Sequence, residues 1–152
     1  MGKITSEILS RHGVEVVILD NSSENVKRLR YRGIKAFLGD GSDSKLLTKA
    51  GIETAKIIII TTSDIQKSVN LTHFIINKYP DKKLIVSAVN LEHLKTLNSY
   101  DVHEIILETY YSSLNLGEKV LEELGESISE INKTIKQFHD SGIEQILNEP
   151  KT

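Results

Sequence analysis

Apolar residues in this chain fall into two kinds of segment. Val14-Glu15-Val16-Val17-Ile18-Leu19-Asp20, Lys56-Ile57-Ile58-Ile59-Ile60-Thr61 and Leu84-Ile85-Val86-Ser87-Ala88 are short β-branched runs with almost no polar alternation. Such runs suit strands covered on both faces, as in parallel sheets flanked by helices. Lys35-Ala36-Phe37-Leu38 and Glu104-Ile105-Ile106-Leu107 read as shorter strands. The segments between them carry helical spacing and cap residues. A helix over Lys3–Arg11 opens the chain. Ser22 or Ser23 starts a second that runs to about Arg32 and is closed by Gly33. Ser42 or Asp43 caps Lys45–Ala50, closed by Gly51; Asp64 starts a longer helix that ends before Pro80. Asn90 caps a helix with Leu91, Leu94 and Leu97 at inward spacings. Regular strand–helix alternation predicts an α/β fold, a doubly wound parallel sheet with right-handed crossovers.

The pattern changes after Glu108. Thr109–Leu124 reads as a helix with no strand after it, and Leu114, Val120, Leu121 and Leu124 form one apolar stripe. A further helix over Ser127–His139 carries Ile128, Ile131, Ile135 and Phe138. This tail adds no strand, so it packs back on the domain or reaches a partner. The division expected is a nucleotide-binding unit over 2–107 and a helical tail over 108–152.

Composition narrows the function. The 152 residues are 26% charged and 39% hydrophobic, with a net charge of −2. That is a globular composition without the positive field that phosphate backbones favour, so nucleic acid is not an expected partner. There is no Cys, which excludes disulfides, thiolate-zinc sites and thiol nucleophiles. No apolar run approaches the ~20 residues that span a bilayer. The expected location is the cytoplasm, or the cytoplasmic face of the inner membrane through a transporter partner.

Open parallel sheets bind ligands at the carboxyl ends of their strands, and three such ends carry chemistry here. Asp20, followed by Asn21, ends the first strand; an acid there accepts hydrogen bonds from ribose hydroxyls and repels a 2′-phosphate. Gly39-Asp40-Gly41-Ser42 ends the next, with glycines that let backbone approach an adenine edge. Thr61-Thr62-Ser63-Asp64 ends the third and offers hydroxyls and exposed amides. Each acid alone also suits an ordinary turn or cap. A full G-x-G-x-x-G phosphate loop is missing. Gly2 stands 18 residues before Asp20, close to the ~20 usual between that motif and the acid, so it occupies the place of the third glycine. The expectation is that the first strand and two glycines of such a motif lie upstream of residue 1. That strand is central in the order 3-2-1-4-5-6. Its two neighbours, Val14–Leu19 and Ile57–Ile60, are therefore expected to close up and pair with each other; the alternatives are that another chain supplies the strand or that the chain is a fragment that folds poorly alone.

These residues resemble the TrkA-N, or RCK N-terminal, regulatory domain of bacterial potassium transport proteins. The matching run is Gly13 through Asp20, Leu29-Arg30 through Gly33, Gly39-Asp40, Leu46-Leu47 with Ala50-Gly51, and Ile60-Thr61 to Asp64. Within that family the tail is similar to the crossover helix of the glutathione-gated Kef efflux systems, through Glu108-Thr109-Tyr110, Leu114, Gly117 and Leu121 to Gly125; Ile143 and the acidic end also fit. The resemblance implies a Rossmann-like domain that binds NAD(H), AMP or another adenine nucleotide, forms a homodimer, and gates a membrane potassium antiporter or channel. Asp20 would hold the adenosine ribose, Asp40 with Gly41 would line the adenine pocket, and Thr61 and Thr62 would lie near ribose or phosphates. Nucleotide binding is expected to be weak, because the phosphate loop is reduced to Gly2. The Kef branch carries arginines at the strand end that reads Ser87-Ala88-Val89 here, so glutathione is not an expected ligand.

Enzymatic signals are sparse. His12, His73, His93, His103 and His139 have no metal spacing with an acid on the same face. Glu92-His93 reads as a cap or surface pair, Tyr110 and Tyr111 as packing or a dimer seam, and the Lys27, Arg28, Arg30, Arg32 run as a solvated face. No nucleophile elbow is present. The chain therefore reads as a sensor and not an enzyme. The alternatives are a fragment of a Rossmann NAD-dependent oxidoreductase and an interaction module with a degenerate site.

Overall fold

The computed structural model of the chain describes residues 2–142. Ile143 and the acidic end lie outside the described residues. Elements follow in the order α1 (Gly2–Arg11), β1 (Val17–Asp20), α2 (Ser23–Tyr31), β2 (Lys35–Leu38), α3 (Ser44–Ala50), β3 (Ile57–Ile60), α4 (Ile65–Lys78), β4 (Lys83–Ala88), α5 (Leu91–Leu97), β5 (Glu104–Leu107), α6 (Tyr110–Glu123) and α7 (Ile128–Ser141). The α/β alternation is as the pattern predicts. Helix starts are fixed by side chains that accept orphan amides: Ser22 from Asn25, Asp43 from Lys45 and Leu46, Asp64 from Lys67, Asn90 from His93, and Ser127 from Glu130.

All strand pairs are parallel, but they form two sheets. β1 pairs with β2, with Val17 opposite Lys35 and Asp20 opposite Leu38. β3, β4 and β5 form the second sheet in that order, with Ile57 opposite Lys83 and Ile85 opposite Glu104. The combined order, β2-β1 and then β3-β4-β5, is the doubly wound order 3-2-1-4-5-6 with position 1 unfilled by the described residues.

The expected closure of β1 onto β3 does not occur. The two units are instead joined through side chains at the carboxyl end: the Lys67 ammonium on α4 meets Asp40 after β2 at 2.7 Å, and a Cβ built on Gly41 would lie 3.2 Å from Leu71 of α4. The facing edges are also not fully buried. Val17–Asp20 are all half-buried, while Ile57 and Ile59 are 50% and 41% exposed, so water reaches groups that would otherwise orphan at a cost of about 1–3 kcal/mol each. β1 is also shorter than its apolar run, because Val14 is exposed and precedes the strand.

The larger core gathers around β4. Leu84, Val86 and Ala88 from that strand, Ile75 from α4, Leu94 and Leu97 from α5, and Leu107 and Tyr110 are buried together. A smaller cluster of Val26, Leu29, Ile34 and Ala36 holds α2 against β1 and β2. Leu91, expected to face inward, is exposed, because it stands at the first helical position after the Asn90 cap, outside the contact face that Leu94 and Leu97 share. The tail pair α6–α7 is tied to the body by Tyr110, whose hydroxyl donates to the Phe138 carbonyl at 2.6 Å.

His93 departs from its surface reading. It is completely buried, because its position on α5 falls beside Leu94 on the inward side. The Val89 amide donates to its Nδ1 at 3.3 Å, which puts the ring proton on Nε2 in the neutral form; Nε2 has no partner among the described residues. Burial lowers the imidazole from its ordinary 6.5, and the Glu108 carboxylate opposes that only in part. The folded chain therefore resists protonating a ring that the unfolded chain protonates readily. This contribution is complete above 6.5 and is lost as pH falls below it. Urea unfolding at a series of pH values is expected to show stability declining below 6.5, and His93→Gln, neutral throughout, to flatten that part of the profile.

Candidate functional site

Four chain segments meet at the carboxyl ends of β1, β2 and β3. Asp20 ends β1 and is half-buried. Its Oδ1 accepts from the Ser22 amide at 2.7 Å and its Oδ2 from the Asn25 side-chain amide at 3.1 Å. A carboxylate has about four acceptor positions, so each oxygen keeps one for a ligand hydroxyl. Asn21 follows, exposed. The Gly39 amide donates to the Asp20 carbonyl at 3.1 Å, locking the two strand ends together. Gly39 has φ +150, and a Cβ there would approach Leu46 to 2.5 Å, so both backbone and space call for glycine.

Asp40 is the electrostatic centre. The amide and hydroxyl of Ser42 both donate to its Oδ1, at 2.9 and 2.8 Å, and Lys67 Nζ donates to Oδ2 at 2.7 Å. The Lys67 hydrogen bond, seconded by those from Ser42, lowers its carboxyl from 3.8 to about 2. Asp40 and Ser42 form one wall of an open cleft of about 370 Å³; Asp64, Gln66, Lys67, Asn70 and Leu71 form the other. Three further predicted residues sit at the rim of α1 and β3. A Cβ on Gly2 would lie 2.7 Å from Thr61 Oγ1, so glycine lets the α1 N-terminus press against the end of β3. Thr62 Oγ1 accepts from the Asp64 amide at 3.4 Å.

The structure thus joins Asp20 to Gly39, Gly2 to Thr61, and Asp40 and Gly41 to α4. Of the residues singled out at the strand ends, Asp40, Ser42 and Asp64 line the cleft, while Asp20, Asn21, Gly2, Gly39, Gly41, Thr61 and Thr62 do not. The first two turns of α4 were not legible as lining. Their signal is the Asp64 cap, which fixes Lys67, Asn70 and Leu71 at positions three, six and seven residues on, along one side of the helix.

The edge thus sets acceptor oxygens at Asp20 and glycine backbone at Gly39–Gly41 near the start of α1 at Gly2. A second polar cluster lies on the β4–β5 side, where Ser87 Oγ donates to Glu108 Oε1 at 2.8 Å. Ser87 carries no positive charge at that strand end, and its partner is an acid.

Removing the cation next to Asp40 isolates its effect. Its stabilising contribution is present at and above pH 3.8 and disappears as pH falls toward 2. In Lys67→Met the Asp40 carboxyl is expected to titrate closer to 3.8 by carbon-detected NMR. Because Asp40 is 47% exposed, the loss of stability is expected to stay within about 1 kcal/mol.

Comparison with known proteins gives three findings. Residues 1–108 match the model of the TrkA-N domain. Among curated proteins, the glutathione-regulated potassium-efflux system protein KefC of Cronobacter sakazakii is 32% identical over 124 residues, 82% of this chain, and KefC of Escherichia coli is 30% identical over 145 residues, 95% of it. This chain spans 20% and 23% of those proteins' lengths. Among solved structures, the Kef CTD of Shewanella denitrificans in AMP-bound form superposes with a TM-score of 0.81 and 27% identity, covering 91% of this chain and 85% of that one.

Proposed function

The chain belongs to the TrkA-N domain family, and from that premise we propose that it is a regulatory, nucleotide-sensing domain of a potassium-efflux system. The single observation that carries this reading is the likeness to a Kef CTD in AMP-bound form over 91% of the chain. The geometry is compatible with it. The carboxyl edge offers hydroxyl acceptors, glycine backbone and a helix N-terminus.

In this proposal Asp20 and Asn21 face the ribose, Gly39, Asp40 and Gly41 border the adenine, and Gly2, Thr61 and Thr62 lie toward the phosphate. The reading is sensing and not catalysis. Occupancy favours one arrangement of the domain, and that arrangement biases a membrane antiporter or channel. The domain would act at the cytoplasmic face of the inner membrane; among the described residues no helix is long and apolar enough to cross a membrane. Ser87 and its partner Glu108 make the β4 end a poor receiver for anionic glutathione.

Titration calorimetry with AMP, NAD and NADP tests the site. AMP and NAD are expected to bind and NADP to bind at least about tenfold more weakly, because its 2′-phosphate would approach the Asp20 carboxylate; Asp20→Asn is expected to narrow that gap. A preference for NADP in the unaltered chain would overturn the role given to Asp20. Binding of none of the three would favour a degenerate interaction module.

The tail supports a dimer. Leu116, Val120 and Leu124 on α6, and Ile128 at the start of α7, are 67%, 50%, 73% and 76% exposed. Large apolar side chains concentrated on one helix pair suit a second copy of the chain, related by a twofold axis. Sedimentation velocity is expected to show a dimer, and Leu116→Glu with Leu124→Glu to shift it to monomer while the far-UV circular dichroism stays unchanged.

A further inference from the structure

The nucleotide reading leaves the opposite end of the β1–β2 unit without a role, and basic residues collect there. The stretch Lys27 to Lys35 holds five cations and no acid, in a chain whose net charge is −2. Arg11 ends α1, and it lines one cleft of about 400 Å³ together with Arg32, Glu7, Ser10 and Ile34. Because α1 leads into β1 and α2 into β2, this cleft lies at the amino ends of those strands, away from Asp20 and Asp40.

The charge is exposed and only in part answered. Arg11, Lys27 and Lys35 are exposed and have no ion pair among the described residues. Arg28 pairs with Glu24 one turn earlier, and Arg32 with Glu7 of α1. Arg30 donates through Nε to the Ala36 carbonyl at 2.8 Å, which fixes its side chain without cancelling its charge. Counting Glu15 ahead of β1 as well, six cations stand against three acids. Val26 and Leu29 turn one side of α2 into the core, so Lys27, Arg28 and Tyr31 fall on the outward side. Tyr31, one turn after Lys27, is 93% exposed.

We propose that this face is a docking surface for an anionic phospholipid bilayer. The backbone argues against a single tightly held phosphate. The amides of His12, Gly13 and Val14 are spent closing the end of α1, and those of Arg32, Gly33 and Ile34 the end of α2. Both helices finish here, so the negative ends of their dipoles add nothing for an anion. An isolated phosphate therefore meets side chains alone. A plane of many headgroups answers dispersed cations together, each Lys or Arg adding its own increment. Tyr31 separates a bilayer from an acidic protein surface, because an exposed ring beside Lys and Arg is the pairing that settles at headgroup depth. The proposal takes only the location at a membrane face from the functional reading; the charge and geometry stand without it. Docked in this way, the domain keeps its carboxyl edge turned from the bilayer and open to nucleotide.

Flotation of the full chain with lipid vesicles tests this. Phosphatidylcholine vesicles are expected to leave the chain in solution, and vesicles mixed with phosphatidylglycerol to carry it, less so as salt rises. Lys27→Gln combined with Lys35→Gln is expected to weaken that binding about fivefold for each charge removed, and Tyr31→Ser to weaken it as well. Far-UV circular dichroism of these variants is expected to match the unaltered chain, since none of the three residues is buried. The assay contains no nucleotide, so a failure of the nucleotide reading leaves its result standing. Equal retention on both kinds of vesicle, or unchanged binding by the Lys27→Gln, Lys35→Gln variant, overturns the proposal. Release from anionic vesicles by inorganic phosphate at constant ionic strength overturns it in favour of a free-phosphate site. Capture on immobilised poly-glutamate without vesicle binding overturns it in favour of an acidic protein partner.

Discussion

Parallel strands must be hydrogen-bonded on both edges and covered on both faces, and β4 is the strand here that meets the condition most fully. It pairs with β3 and β5, and Val86 and Ala88 are fully buried. The helices arrange themselves around it: α4 supplies Ile75, and α5 supplies Leu94 and Leu97. Burying a side chain of that size is worth about 1.5–3 kcal/mol. The β1–β2 unit has no comparable centre. Its cluster of Val26, Leu29, Ile34 and Ala36 is local, while Leu19 packs against the main core.

That asymmetry explains what the sequence reveals and what it conceals. The apolar runs 57–60, 84–88 and 104–107 are visible as strands, because a near-continuous run of Ile, Val and Leu has few other ways to be covered; 35–38 is visible as a short strand between two helical patterns. Capping chemistry is equally visible, since Ser22, Asp43, Asp64, Asn90 and Ser127 each accept amides from the turn that follows. Pairing across the gap is not visible. It is decided together with long-range contacts such as Asp40–Lys67 and Gly41–Leu71, which link residues about thirty positions apart in sequence. His93 is concealed for another reason. Polar neighbours such as Asn90 and Glu92 make its position look wet, while its inward direction is decided by the helix phase set by the cap.

The candidate site is legible by type more than by wall. Acids and glycines at strand ends announce a carboxyl-edge site, and the structure does bring Asp20 and Gly39 into one hydrogen-bonded corner. The opposite wall comes from α4, whose Lys67, Asn70 and Leu71 have no motif of their own. Lys67 carries the most weight, because its hydrogen bond is the largest influence on the Asp40 carboxyl. Family membership agrees with this layout at the level of fold, while roles for individual residues rest on the proposal above.

The division of the sheet and the position of the proposed ligand are connected. Asp20, Gly39, Asp40 and Gly41 belong to the β1–β2 unit; Thr61, Thr62 and Lys67 belong to the unit built on β3–β5. A nucleotide touching both sets would bridge two bodies whose strands share no ladder bond. Its binding free energy would then depend on how the two units are placed, and by linkage their placement would depend on occupancy. A domain with one continuous sheet would resist such a shift, because every strand pair would have to shear together. Here the described contacts opposing it at the carboxyl end are an exposed ion pair, worth about 1 kcal/mol or less, and the packing of Leu71 over Gly41.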